Sequence, residues 1–253
     1  MLATGSKSLT GYRLSIRYSS DGFSFSVSST LDGSVVQSDR FPLSEASALD
    51  DVLRQALRKP YLMDYRFQSV EIVADTPATL VPLEHFNKGD MLAYYRLCFP
   101  AMAGGQQASV TDMQYQILSP VEAVMIFRLD GTILRIVQEC YPDVKVCCTD
   151  GQQLEHFASM HEKRPAPDDA EQRDVYVCFG ERRFFVAVFH RSKLQYAGSQ
   201  SADNDSDRTY LLLGIWKALD LHPQRDVCHL QGASKELQKT IGEYVLSVEE
   251  VRG

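Results

Sequence analysis

The run Tyr12-Arg13-Leu14-Ser15-Ile16-Arg17-Tyr18-Ser19-Ser20-Asp21-Gly22-Phe23-Ser24-Phe25-Ser26-Val27 reads as two strands folded back on a tight turn. Leu14, Ile16 and Tyr18 alternate with polar residues, and Phe23, Phe25 and Val27 do the same. A period of two with one apolar face is the pattern of a half-buried strand. Between the two runs lies Ser20-Asp21-Gly22, and Asp-Gly admits the positive φ angles that a short hairpin needs. Leu31-Asp32-Gly33 supplies a second turn, and Val35-Val36 begins a third strand, so residues 13–41 form three antiparallel strands.

Outward from this meander the period changes. Ser44 is placed to cap a helix that runs to about Arg58, with Leu49, Val52, Leu53, Ala56 and Leu57 on one face and Pro60 as its stop. Val70 to Ala74 is a short buried strand closed by Asp75-Thr76-Pro77. The middle of the chain gives a short strand at 79–81, a helix at 89–98, strands at 113–118 and 123–129, a helix from Asp130 to Pro142, a strand at 144–148 and a helix capped by Asp150. Glu162 to Arg173 is polar and Pro-containing, the best linker in the chain. After it the opening order returns. Strands at 174–179, 184–190 and 193–199 precede a helix at 208–219, a strand at 227–230, a helix capped by Ser234 and a closing strand at 245–248. Segments 13–75 and 174–232 therefore share the order βββαβ with little residue identity, a structural repeat. The fold class is α/β, built from two tandem copies of one unit.

Composition bounds the function. Of 253 residues, 44% are apolar and 23% charged, which is ordinary globular usage. Net charge is −7 with no stripe of Lys and Arg, and without such a stripe phosphates are not neutralised, so nucleic acid is not an expected partner. The six cysteines form no CxxC pair, and they read as small buried hydrophobes of a reducing compartment. Residues 1–12 lack a secretory pattern, and apolar runs such as Tyr210 to Trp216 are too short to span a bilayer. A cytoplasmic protein without a membrane span is the expectation, with the oligomeric state left open.

The duplicated βββαβ order resembles the actin-like ATPase superfamily, whose lobes are ribonuclease H-like and face each other across a cleft. The opening Tyr12 to Phe25 run and Ala78-Thr79-Leu80-Val81-Pro82 look like an uncharacterised bacterial family of unknown function with that fold. The resemblance implies a first lobe at 1–162, with an inserted or completing segment at about 83–161. A linker at 162–173 and a second lobe at 174–253 follow. It also implies that each lobe's first hairpin clamps nucleotide phosphates. A strand-ending Asp would position magnesium-bound water, and Gly and hydroxyl residues would let backbone N–H groups approach phosphate.

Residue by residue, the matches are incomplete. The first hairpin offers Ser19, Ser20, Asp21 and Gly22, but the strand ends in Tyr18, and Asp21-Gly22 lies in the turn itself. The second offers Gly180 and Arg182 (or Arg183), with Phe179 where an Asp would stand. The adenosine segment corresponds to His229-Leu230-Gln231-Gly232-Ala233-Ser234, with Gly232 and Ser234 as its candidates. Asp75, after the fourth strand, is a further candidate and equally a turn residue.

Other constellations carry less. Asp203-Asn-Asp205-Ser-Asp207 opens like a calcium loop, but the sixth and twelfth positions hold Arg208 and Gly214 rather than Gly and Glu. His156 and His161 are five apart, His190 and His229 read as packed or surface groups, and Trp216 reads as core. No nucleophile elbow or Walker loop is present. The leading expectation is a non-catalytic actin-like protein that binds other proteins, with degenerate phosphate motifs and neither cofactor nor metal. The alternative is a divergent ATPase or small-molecule kinase that uses ATP or ADP with Mg²⁺ through these candidate residues.

Overall fold

The computed structural model describes residues 11–44, 48–64, 67–100, 109–165 and 167–251. Strands β1 (Tyr12–Ser19), β2 (Gly22–Ser29) and β3 (Val35–Pro42) precede helices α1 (Leu49–Leu57) and α2 (Pro60–Asp64). β4 (Ser69–Ala74) and β5 (Ala78–Pro82) lead to α3 (Met91–Cys98), β6 (Met113–Leu118) and β7 (Ala123–Arg128). Then come α4 (Gly131–Cys140), β8 (Lys145–Cys148) and α5 (Thr149–Glu162). The remainder is β9 (Arg173–Phe179), β10 (Arg183–His190), β11 (Lys193–Ser201), α6 (Asp205–Ala218), β12 (Val227–Gln231), α7 (Lys235–Gly242) and β13 (Ser247–Glu250). No helix among the described residues is long and apolar enough to cross a membrane.

The chain forms two compact units. The first comprises residues 1–77, 87–116 and 126–149, the second 78–86, 117–125 and 150–253. Each holds a five-stranded sheet, ordered β3-β2-β1-β4-β8 in the first and β11-β10-β9-β12-β13 in the second. In both, three antiparallel strands are followed by two that join in parallel. The repeat legible in the sequence is thus a repeat of sheet topology. A three-stranded sheet of order β5-β7-β6 completes the strands.

In the first sheet the alternation sorts side chains by face. Leu14 lies opposite Val27 and beside Val70, and Ile16 lies opposite Phe25 and beside Ile72. All six are buried, whereas Arg13 and Arg17 on the other face of β1 are exposed. The second sheet is apolar on both faces. Val175, Val177, Phe184, Val186, Val188, Cys228 and Leu230 join Leu212, Trp216, Leu237 and Ile241 of α6 and α7 in one core. On the opposite face Phe157 of α5 meets Tyr176 with ring centroids 5.2 Å apart and Phe185 at 6.3 Å. Helices on both faces account for the near-continuous apolar runs of β9 and β10.

Three local expectations change. α1 starts at Leu49 with Ala48 as N-cap and no side-chain cap, so Ser44 does not cap it; Asp50 and Asp51 in its first turn offset the positive end of its dipole instead. Asp150 lies inside the first turn of α5 rather than capping it. Cys98 and Cys140 are exposed rather than buried, because each is the last residue of a helix, whereas Cys147, Cys148 and Cys228 are buried as expected.

Candidate functional site

In the first unit the β1–β2 turn is self-contained. The Asp21 amide donates to Ser19 Oγ at 3.4 Å, and Ser20 Oγ donates to Asp21 Oδ1 at 3.2 Å. Leu43 N donates to the Asp21 carbonyl at 3.0 Å, which ties the turn to the end of β3. Gly22 has φ +134°, and a Cβ there would lie 2.2 Å from the Phe41 carbonyl oxygen. Its glycine is thus required by the close approach of β3. Tyr18, one residue before the end of β1, packs on Phe23 with centroids 5.4 Å apart. Burial raises its phenol pKa, and the nearby Asp130 carboxylate raises it further.

Asp75 follows β4, its amide donating to the Tyr18 carbonyl at 2.7 Å. Beside it, Thr76 Oγ1 donates to the Arg128 carbonyl at 2.8 Å. The N-terminus of α4 completes this end of the unit. Thr132 N donates to Asp130 Oδ1 at 2.8 Å and Gly131 N to Asp112 Oδ1 at 3.2 Å, while Arg128 lies 3.7 Å from Asp112. An open groove of about 370 Å³ runs past Thr111, Asp112, Asp130, Gly131, Arg135 and Gln138. Two of the chain's own carboxylates thus already occupy two of the amides that a helix N-terminus offers to an anion.

In the second unit the β9–β10 hairpin, the N-terminus of α6 and the β12–α7 turn converge. Gly180 N donates to the Arg183 carbonyl at 2.8 Å. Arg208, on the first turn of α6, donates through Nη2 to the carbonyls of Gly180 (2.7 Å) and Glu181 (2.8 Å), and its guanidinium lies 5.9 Å from the centre of the Phe179 ring. Its Nη1 donates to Asp205 Oδ1 at 2.8 Å, and Ser234 Oγ donates to Asp205 Oδ2 at 3.1 Å. Ser234 also accepts the Leu237 amide as N-cap of α7. Gly232 has φ +72°, and a Cβ there would come 2.8 Å from the Phe179 carbonyl oxygen.

The structure therefore brings together Gly180, Gly232 and Ser234, and it adds Arg208 and Asp205. Arg182 lies at the same turn with an exposed side chain; its carbonyl accepts the Ala202 amide at 3.0 Å. In the first unit, Asp75, just after β4, lies beside the end of β1, and Ser19, Ser20, Asp21 and Gly22 form the neighbouring turn. The acidic loop at 203–207 serves α6: Asn204 is its N-cap, accepting the Asp207 amide at 2.9 Å, and Asp205 holds Arg208.

Sequence reading missed a buried polar network on the α5 face of the second sheet. His229 is fully buried, with Nε2 2.8 Å from Asp174 Oδ1 and its ring stacked 4.4 Å from that of Tyr176. His161 and Arg164 reach Asp174 from the end of α5, at 3.5 and 3.9 Å. Arg164 also binds Glu249 of β13 at 2.8 Å. Although burial opposes ionisation, the His229 contact and the charge of Arg164 hold the Asp174 carboxyl below its usual range; Arg164 does the same for Glu249. The available signal was polar Asp174 and His229 inside otherwise apolar strands. Nearby, the largely buried Asp150 of α5 pairs with Arg183 of β10 and accepts Ser199 Oγ of β11 at 2.9 Å. Among the described residues no group of three or more His, Cys, Asp or Glu side chains is arranged to hold a metal ion.

Comparison with known proteins agrees with this topology. A family model described as "Protein of unknown function (DUF3822)" matches residues 5–245. A solved protein from Bacteroides thetaiotaomicron, described as having an actin-like ATPase fold and unknown function, is 23% identical. It aligns over 99% of this chain and 94% of its own, with a TM-score of 0.75. More distant similarity reaches a ROK family protein from Streptococcus pneumoniae in complex with sucrose (9% identity, 96% of this chain and 93% of that one, TM-score 0.45). It also reaches the PilM-PilN type IV pilus biogenesis complex (12% identity, 94% and 88%, TM-score 0.43). None of the curated proteins matches.

Proposed function

The chain belongs to the family of unknown function DUF3822 and has the actin-like ATPase fold, and from that premise we propose that it is a non-catalytic member of the fold that works by binding another protein. The observation that carries this reading is the identity of the two strand ends next to the hairpins. Tyr18 and Phe179 are packed aromatics, at the positions where the resemblance to the superfamily implies a carboxylate for magnesium-bound water. Phosphoryl transfer depends on metal charge placed at the reacting centre, and neither aromatic supplies a ligand for it. Further support comes from the second hairpin. Its Gly180 amide is used within the turn, and its carbonyls are pinned by Arg208. Ser234 is engaged as a helix cap and by Asp205.

The test is direct. Purified protein is titrated with ATP and ADP in the presence of Mg²⁺ by calorimetry and thermal shift, and hydrolysis is measured in parallel. A ligand that binds only the folded state raises the melting temperature by mass action. The expected result is no shift at millimolar nucleotide and no turnover. Magnesium-dependent hydrolysis at about 1 s⁻¹ or faster, an ordinary enzymatic rate, would overturn the proposal in favour of an ATPase or kinase using Asp21, Asp75 and Gly232. For the binding role, a partner found by cross-linking in cells is purified and its affinity measured with and without ATP. A specific complex of unchanged affinity is the expected outcome.

A further inference from the structure

We infer that Asp174, His229 and Glu249 form a proton-dependent clasp that holds the edge strand β13 on the second sheet. His229 of β12 is fully buried with a carboxylate at each ring nitrogen: Nε2 lies 2.8 Å from Asp174 Oδ1, and Nδ1 lies 3.2 Å from Glu249 Oε2, off the line of a good hydrogen bond. A neutral imidazole has one N–H, so its second nitrogen would turn a lone pair toward a carboxylate. Only the imidazolium presents a proton to both.

His161, the neighbouring histidine, has a different set of partners. Its Nε2 meets the Arg191 carbonyl, which can only accept, and its Nδ1 lies 3.3 Å from Tyr176 Oη, which can donate. Neutral His161 can meet these two partners, although its Nδ1 also lies 3.5 Å from Asp174 Oδ2; neutral His229 cannot donate to both of its carboxylates. The charges facing the clasp complete the balance. β9 contributes Asp174 and Tyr176, the latter's phenol pushed far up by burial, and β13 contributes Glu249. The end of α5 contributes His161 and then Arg164, whose Nη1 lies 2.8 Å from Glu249 and whose Nε lies 3.9 Å from Asp174. Two carboxylates are thus opposed by Arg164 and the His229 imidazolium.

β13 has few other ties: Arg164 holds Glu249, and Val248 packs against the core of the second sheet. It pairs with β12 over Ser247 to Glu250 only, with one more bond from Val251 N to the Leu230 carbonyl at 2.9 Å. None of its side chains is fully buried. When His229 loses its proton, Asp174 keeps the Nε2–H bond while Glu249 faces a lone pair, which leaves Arg164 as its one favourable partner at the clasp. On the acid side the sign reverses. Asp174 and Glu249 both titrate below their usual range, so their contribution persists through ordinary carboxylate pH values and is lost as pH falls through those lowered values. Protection of β13 is therefore greatest between the two limbs.

The experiment uses the full chain. Amide hydrogen exchange, corrected for intrinsic rates, is followed from about pH 5 to about pH 9, a range that brackets histidine titration. The ¹⁵N shifts of the His229 ring are read in the same samples. The expected result is a doubly protonated His229 at the acidic end and about a tenfold loss of protection at residues 248–251 on its deprotonation, with Val186 to Val188 of β10 unchanged. Glu249→Gln, at a half-exposed site that leaves the core intact, should flatten that dependence, and His229→Gln should do so if it folds. A singly protonated ring throughout, pH-independent protection of β13, or an unchanged slope in Glu249→Gln would each overturn the inference.

Discussion

At the residue scale, two glycines separate conformational strain from steric contact. Gly22 has φ +134°, and an added Cβ would fall 2.2 Å from the Phe41 carbonyl and 2.9 Å from Leu43 N, both backbone atoms that cannot swing aside. Gly33, at φ +73°, would have nothing within 4 Å of an added Cβ. Gly33→Ala should therefore cost about 1 kcal/mol, the left-handed penalty alone. Gly22→Ala should cost about 3 kcal/mol or more, since the β2–β3 register must shift as well. Urea titrations of the two variants check the difference, and equal costs would mean that β3 yields freely. The Asp-Gly turn was legible because turn chemistry is local. The partners of the candidate residues were not. Arg208 meets the Gly180 and Glu181 carbonyls from 28 and 27 residues away, and nothing in the local pattern of an apolar helix announces that its first turn grips a distant hairpin. His229 could be read only as packed or exposed, because its partners Asp174 and Glu249 lie on two other strands.

At the element scale, α6 shows where periodicity loses its power. Tyr210, Leu211, Leu212, Leu213, Ile215 and Trp216 are apolar all round the helix, yet Leu212 and Trp216 are buried while Tyr210 is 77% exposed. An amphipathic stripe would have revealed the buried face, as it did in α1, where Leu53, Ala56 and Leu57 are the buried set. Where the stripe is missing, the start of the helix rests more heavily on its cap. Asn204 Oδ1 accepts the Asp207 amide at 2.9 Å, and Asn204 Nδ2 donates to Asp207 Oδ2 at 2.8 Å, a reciprocal arrangement at the first turn. Asn204→Ala should destabilise the protein by about 1 kcal/mol, with Asn204→Asp or Asn204→Ser retaining most of the stability. Denaturant midpoints measure both. The cap also sets the position of Arg208 one turn on, so faster amide exchange at residues 180–183 in Asn204→Ala is the accompanying signature.

At the scale of the whole molecule, the two sheets share one strand order while their sequences follow different burial rules. β1 and β2 alternate because the exposed Arg13 and Arg17 mark a second face that stays polar. β10 runs Phe184 to Phe189 without a polar residue because α6 and α7 cover one face and α5 the other. Order of elements was thus legible across both repeats, but the element covering the second face was not, since α5 precedes the linker in sequence. α5 is fixed to that sheet by the Asp150–Arg183 ion pair, by Ser199, by Gln153 to Gln231 at 2.8 Å, and by the fully buried Leu154 and Phe157. Burying those two side chains contributes about 1.5–3 kcal/mol each, and removing the helix would also bare Tyr176, Phe185 and Phe189. A fragment starting at residue 174 should therefore aggregate or show poorly dispersed amide resonances. A fragment starting at residue 150 should be markedly more soluble and better dispersed under the same conditions. Within the full chain, Asp150→Ala should cost about 2–4 kcal/mol, because it removes this counter-charge from the guanidinium of Arg183, only 25% exposed. Asp150→Ala combined with Arg183→Met should recover part of that loss, which a double-mutant cycle in urea would measure. If the two fragments behave alike and the single substitution costs nothing, α5 is a passenger on the second sheet rather than its second layer.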